Sequence, residues 1–200
     1  PMIRAFTFAA VALLAALPVR AEVAIQEVTS PGGITAWLVE EHSIPFAALE
    51  IRFKGGASLD DPAKRGAINL MTGLIEEGAG DLDARAFAKA RDGLAASFGF
   101  DVYDDALSIS AQFLTENRDA SVDLLRLALT ETRFDQDALD RVRQQVLSGI
   151  RSSEKDPNDI ASATFDAISF GDHPYGSPTE GTVETVTALT VQDMIDAKSR

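Results

Sequence analysis

No cysteine occurs in the 200 residues, which removes disulfide staples, thiolate metal ligands and cysteine nucleophiles together. Basic residues are scarce as well. Eighteen Lys and Arg stand against 31 Asp and Glu, a formal net charge of −13. Phosphate recognition needs a basic face, so nucleic acid is excluded as a partner. The same charge favours solution over an anionic lipid surface. There is no Gly-rich phosphate loop of the Walker or dinucleotide kind, no internal repeat and no low-complexity stretch. Histidine is limited to His42 and His173, far apart in the chain.

What is present suits a folded globular chain. The hydrophobic fraction of 46% and charged fraction of 24% are ordinary for a soluble protein. The length suffices for one sizeable domain with a proper core. The beginning reads differently. Met2-Ile3-Arg4 forms a short basic start, residues 5–17 are an apolar run rich in Ala and Leu, and Pro18 breaks it. Val19 and Ala21 are small residues at the two positions a signal peptidase reads. The pattern predicts a secretory signal over 1–21 with cleavage after Ala21. The run is short for a membrane anchor, the other reading of such a segment. A periplasmic or secreted location is therefore expected, with no membrane span after cleavage.

Strands are predicted at 23–28 and 34–40 around the turn Ser30-Pro31-Gly32-Gly33. A third is predicted at 44–53, where Leu49, Ile51 and Phe53 alternate with Ala48, Glu50 and Arg52. A helix over 64–77 follows, because Ala67, Leu70, Met71, Leu74 and Ile75 share one face. Gly78 and Gly80 stop it, and Asp81 caps a second helix running to about residue 97. Two strands in hairpin relation come next, at 98–103 and 106–114, turning at Asp104-Asp105. Helices are predicted at 118–130 (burying Val122, Leu125 and Leu129), at 135–153 (burying Leu139, Val142, Val146 and Ile150) and at 157–169, with a last one opening at Thr190. The class is α+β, a mostly antiparallel sheet packed with helices.

Few residues carry independent chemistry. Ser148 and Ser152 have no histidine nearby in sequence to act as base. Asp101, Asp104 and Asp105 lack the spacing of a calcium loop. Arg141, Arg143 and Arg151 read as a solvated face paired with Asp137, Asp140 and Glu154. Glu76 and Glu77 read as solvated residues near a helix end, His42 as a solvated turn residue, and Trp37 as sheet or core packing. His173-Pro174-Tyr175 is either a binding loop or a turn with Tyr175 anchoring it. Its Pro and Gly punctuation favours the turn.

The order of these elements, with Arg65-Gly66 leading a helix, the run Arg141-Val142-Arg143-Gln144-Gln145-Val146 on a later helix, His173-Pro174-Tyr175 followed by Gly181, and Glu40-Glu41-His42-Ser43-Ile44-Pro45 before the third strand, resembles the inverted-zincin peptidases of the pitrilysin/processing-peptidase family (M16). The resemblance implies a LuxS/processing-peptidase-like half-domain over 22–200 and a second homologous domain beyond it. It also implies where zinc chemistry would sit, on a helix carrying H-x-x-E-H with a further carboxylate downstream. Here the first histidine position is Asn69, the base position Thr72, the second histidine position Gly73 and the third-ligand position Gly149. Asparagine is a poor zinc ligand, and glycine has no side chain. No catalytic, metal or cofactor residue is therefore expected in this chain, zinc being expected only in a partner subunit. The resemblance implies a non-catalytic subunit that pairs with an active M16 subunit and encloses peptide or unfolded protein. The alternatives are a zinc metalloendopeptidase with a displaced site, or a free-standing binding or scaffold protein.

Overall fold

The computed structural model describes residues 24–200. The expected signal segment 1–21 lies outside the described residues. The described residues divide into two compact units, 24–44 and 45–200.

In the first unit β1 (Ile25–Thr29) pairs antiparallel with β2 (Thr35–Val39), Ile25 opposite Val39 and Thr29 opposite Thr35. The turn closes on Ser30, whose N–H donates to Ile34 O at 2.8 Å and whose Oγ accepts from Ile34 N at 3.0 Å. Gly33 takes a φ of +85°, which glycine adopts without a Cβ clash. Trp37, expected to pack, is 81% exposed.

In the second unit the sheet has the order β3–β7–β6, from β3 (Phe46–Lys54), β6 (Ser97–Val102) and β7 (Ala106–Leu114). Both pairings are antiparallel, and Ile51, Ile109 and Phe100 lie in one row across the strands. The period of two sends Phe98, Ile109, Ala111 and Phe113 into the core. Ala48, Glu50, Ser97, Gly99, Ser110 and Gln112 go to the other face. The core-facing side is covered by helices. They are α1 (Ala67–Thr72), α2 (Ala84–Gly93), α3 (Arg118–Thr130), α4 (Gln136–Ser153), α6 (Val183–Ala188) and α7 (Val191–Lys198), with α5 (Pro157–Phe170) outside that layer. Leu70, Leu74, Phe87, Leu139, Val186 and Met194 are the large fully buried side chains of the core.

Several expectations are corrected. The helix expected over 64–77 is a 3-10 turn at Pro62–Lys64 followed by α1, which tightens after Thr72 into i→i−3 bonds, Leu74 N to Met71 O and Ile75 N to Thr72 O. Asp81 caps nothing. Leu82–Asp83 (β5) pairs with Gly78–Ala79 (β4), and the Asp83 carboxylate caps α2 by accepting from Ala86 N at 2.8 Å. α6, absent from the sequence reading, starts on a capping box between Thr182 and Thr185. Val122 is exposed, while Ser121, Leu124, Leu125 and Ala128 form the buried stripe of α3.

α5 stands apart. Pro157 opens it and the Asp156 carboxylate caps it, accepting from Asn158 N at 2.8 Å. Yet no residue of α5 is buried. Phe170 meets Tyr175 edge-on, ring centres 5.5 Å apart. Phe165 and Ile168, 67% and 81% exposed, are i, i+3 neighbours on another flank.

Candidate functional site

The segment before α1 is built to aim it. Asp60 is buried and accepts from Gly66 N at 2.9 Å and Ile68 N at 3.2 Å, so one carboxylate satisfies two orphan donors of the helix start. Burial pushes its carboxyl up from the ordinary value, against these two N–H groups. Gly66 sits at φ +94°.

Arg65, 4% exposed, fixes what lies around it. Its Nε donates to Pro178 O at 3.0 Å, and one terminal nitrogen donates to Pro174 O at 3.0 Å and Ser177 O at 2.8 Å. The other terminal nitrogen donates to Ala57 O, and Asp104 lies 3.4 Å from the guanidinium. The His173-Pro174-Tyr175 loop is thereby pinned to the start of α1. Tyr175 donates its phenol to Asp105, which pushes that phenol up in pKa, and Asp105 also accepts from Ser58 Oγ at 3.2 Å. Tyr175 thus anchors to the β6–β7 turn, and the structural reading of the loop accounts for its residues.

Asn69, Thr72 and Gly73 lie on α1 and its last turn. Asn69 is half-buried, Thr72 is buried and Gly73 is exposed. The Thr72 hydroxyl donates to Asn69 O at 2.8 Å, so it serves the helix backbone. Helix α4 packs alongside. Arg141 bonds Glu77, and Val142 faces Gly73. These two contacts ascend α4 as they descend the α1 segment, so the two run antiparallel. Gly149, two turns past Val142 on the same face, lies toward the Asn69 side. It is exposed, with no atom within 4 Å of where a Cβ would stand.

The structure therefore brings the four sequence-predicted positions onto two neighbouring helices. The donors there do not fit zinc, which asks for three imidazole, carboxylate or thiolate ligands aimed at one point. One amide, one engaged hydroxyl and two bare glycines supply none. Among the described residues no group of three His, Asp or Glu could hold a metal ion. The nearby carboxylates are committed. Glu76 pairs with Arg91 at 2.7 Å and Glu77 with Arg141, which corrects their reading as solvated residues. Arg143 pairs with Asp140 at 2.7 Å, as expected, and also donates to Leu189 O at 2.6 Å. His42 is exposed, 4.0 Å from Glu40.

A Cβ on Gly73 would meet Val142 Cγ1 at 2.9 Å, and valine cannot rotate away cheaply. Gly73→His is expected to destabilise the chain by about 1–3 kcal/mol through overpacking. In a Val142→Ala background that added loss should shrink by more than half, read as the coupling in a urea-unfolding double-mutant cycle. Equal losses in both backgrounds would show that Val142 does not close the position.

The pattern of the insulinase family, Peptidase family M16, matches residues 36–183. A Helicobacter pylori protein described as a non-peptidase homolog is 29% identical over 155 residues, which is 78% of this chain and 36% of that protein. An uncharacterized zinc protease of Streptomyces coelicolor is 26% identical over 83% of this chain and 36% of its own length. The chain thus spans about 36% of the length of these relatives. Among solved structures, a peptidase M16 inactive domain from Pseudomonas fluorescens superposes with a TM-score of 0.82 at 25% identity, covering 88% of this chain and 43% of that one. Pitrilysin shares the fold, with a TM-score of 0.72 at 16% identity over 90% of this chain and 20% of its own. Sequence pattern and architecture agree: this chain belongs to the insulinase family, peptidase family M16.

Proposed function

We propose that this chain is a non-catalytic M16 domain that pairs with a zinc-bearing relative and helps to enclose peptide or unfolded protein. One observation carries the reading. The four positions where the chemistry needs imidazole and carboxylate hold Asn69, Thr72, Gly73 and Gly149, and Val142 fills the space beside Gly73. The Helicobacter pylori relative described as a non-peptidase and the Pseudomonas fluorescens domain described as inactive support it. The greater length of the relatives supports a further domain in the natural protein, and the signal-like sequence pattern of 1–21 supports export.

The unburied flank of α5 supports the pairing. A 14-residue helix alone in water is marginal, and the flank of Phe165 and Ile168 offers a partner domain an apolar patch. Affinity purification from the native host is expected to recover an M16 peptidase that carries the full zinc motif. Phe165→Ser with Ile168→Ser, both on an exposed face, should lose it without loss of fold. The isolated chain, dialysed and subjected to metal analysis, is expected to hold far less than one zinc per molecule and to show no chelator-sensitive peptidase activity. Stoichiometric zinc, or activity that a chelator abolishes, sinks the non-catalytic reading and favours a displaced site.

A further inference from the structure

On the helix side of the sheet, α1, α7 and the end of α3 leave a recess of about 280 Å³ over β7. Ile68, Met71 and Ile75 line it from the α1 segment, Leu107 and Ile109 from β7 and Leu129 from α3. Ile68, Met71, Ile75 and Ile109 are each at most 4% exposed, so the space reaches into the core. Water inside an apolar recess finds few hydrogen-bond partners, and an apolar guest displaces it readily. At the roughly 30 Å³ that a water-sized group occupies, the volume takes about nine heavy atoms.

The charges around this recess run against the rest of the chain. No Asp or Glu lines it, while Lys54, Lys198 and Arg200 do, in a sequence with 31 acidic and 18 basic residues. Arg200 is engaged, donating to Leu59 O at 2.9 Å and lying 3.6 Å from Asp60. Lys198 is not matched in that way. Its ammonium donates to Thr132 Oγ1 at 3.1 Å and lies 5.9 Å from the Phe134 ring. Thr132 in turn donates to Ala128 O at 2.6 Å, which leaves a lone pair of its hydroxyl to the lysine. An ammonium has three donors, so two remain. Burial pulls Lys198 down from the ordinary lysine value, and among the described residues no carboxylate offsets it.

We propose, independently of the pairing above, that this recess holds a medium-chain carboxylate, its aliphatic tail among Ile68, Ile75 and Ile109 and its carboxylate on Lys198. The volume suits a straight chain of about eight to ten carbons. The carboxylate brings Lys198 the charge that the protein withholds, in a charge-assisted pair at the edge of an apolar space. Each methylene withdrawn from water adds about fourfold in affinity.

The test uses the natural full-length protein, titrated calorimetrically with hexanoate, octanoate, dodecanoate and octanol. Octanoate is expected to bind at least about tenfold more tightly than octanol. Lys198→Met should erase that difference, whereas Lys89→Met, an equal charge change on exposed α2, should leave it. Far-UV circular dichroism melting of both variants checks that the fold is kept. Affinity should climb from hexanoate to octanoate and level off before dodecanoate, whose tail outgrows the recess. With isoleucine methyls labelled, octanoate should shift the signals of Ile68, Ile75 and Ile109 and leave that of Ile168 in place. Equal affinity for octanoate and octanol, or a difference that survives Lys198→Met, overturns Lys198 as the anchor. A gain that continues through dodecanoate, or shifts elsewhere than these methyls, overturns the recess as the seat. No uptake by the full-length protein overturns the site altogether, whether the recess is shut or filled by residues beyond Arg200.

Discussion

Arg65→Met is expected to lower the unfolding free energy by about 3–5 kcal/mol, the range for breaking a buried charged network from one side. The guanidinium donates to four backbone carbonyls, those of Ala57, Pro174, Ser177 and Pro178, and meets the carboxylate of Asp104. Methionine fills the volume and supplies no donor, so carbonyls that give up water on folding find nothing in exchange, each such loss amounting to about 1–3 kcal/mol. Only part of this is recoverable, because the His173-Pro174-Tyr175 loop can lift to let water in. Arg65→Lys keeps the charge but not the planar fork, and should retain less than half of the stabilisation. Urea unfolding monitored by far-UV circular dichroism measures both. A loss below about 1 kcal/mol for methionine would mean that the loop is held by Tyr175 and Asp105 instead.

That hub shows where the sequence stops being legible. Strand β7 and helix α3 were read at their observed bounds, because Leu107, Ile109, Ala111 and Phe113 alternate with polar residues and because the apolar spacing of α3 is regular. The register of the buried face along 67–75 was also legible, while the helix itself was overextended. The turns after Thr72 keep the same residues inward with i→i−3 bonds, so burial periodicity persists where the α-helix does not. In α3 the expected Val122 is exposed and Ser121 is buried, so the helix presents a face rotated by one residue from the one its most apolar positions suggest. The Arg65 network left no trace, because its partners are mainly backbone carbonyls. Three of them lie more than 100 residues away along the chain. The positions where the family pattern carries its zinc site were legible only through resemblance. It named Asn69, Thr72, Gly73 and Gly149, but only the packing reveals that Val142 has closed on Gly73 while Gly149 remains open.

Glycine is demanded for a different reason at Gly66 and Gly181, and alanine at either is expected to destabilise by at least about 3 kcal/mol. Two segments cross there almost in contact. A Cβ on Gly66 would stand 2.3 Å from Glu180 O, and one on Gly181 would stand 2.2 Å from Arg65 O, while both residues hold positive φ, +94° and +82°. Left-handed strain contributes roughly 1–3 kcal/mol and overpacking a similar amount. Backbone atoms on the other side cannot swing away as a side chain could. The crossing is further tied by Thr185 Oγ1, which donates to Arg65 O at 2.8 Å. It therefore sets both the start of α1 and that of α6. The double variant should lose less than the sum of the singles, because one separation of the two segments relieves both clashes. Gly149→Ala supplies the contrast. That position is helical and open, so alanine there should stabilise by about 0.5–1 kcal/mol. Opposite signs at 66 and 149, measured in the same urea series, would separate a glycine that the fold requires from one that it does not. Equal destabilisation at both would show that Gly149 also meets a structural demand.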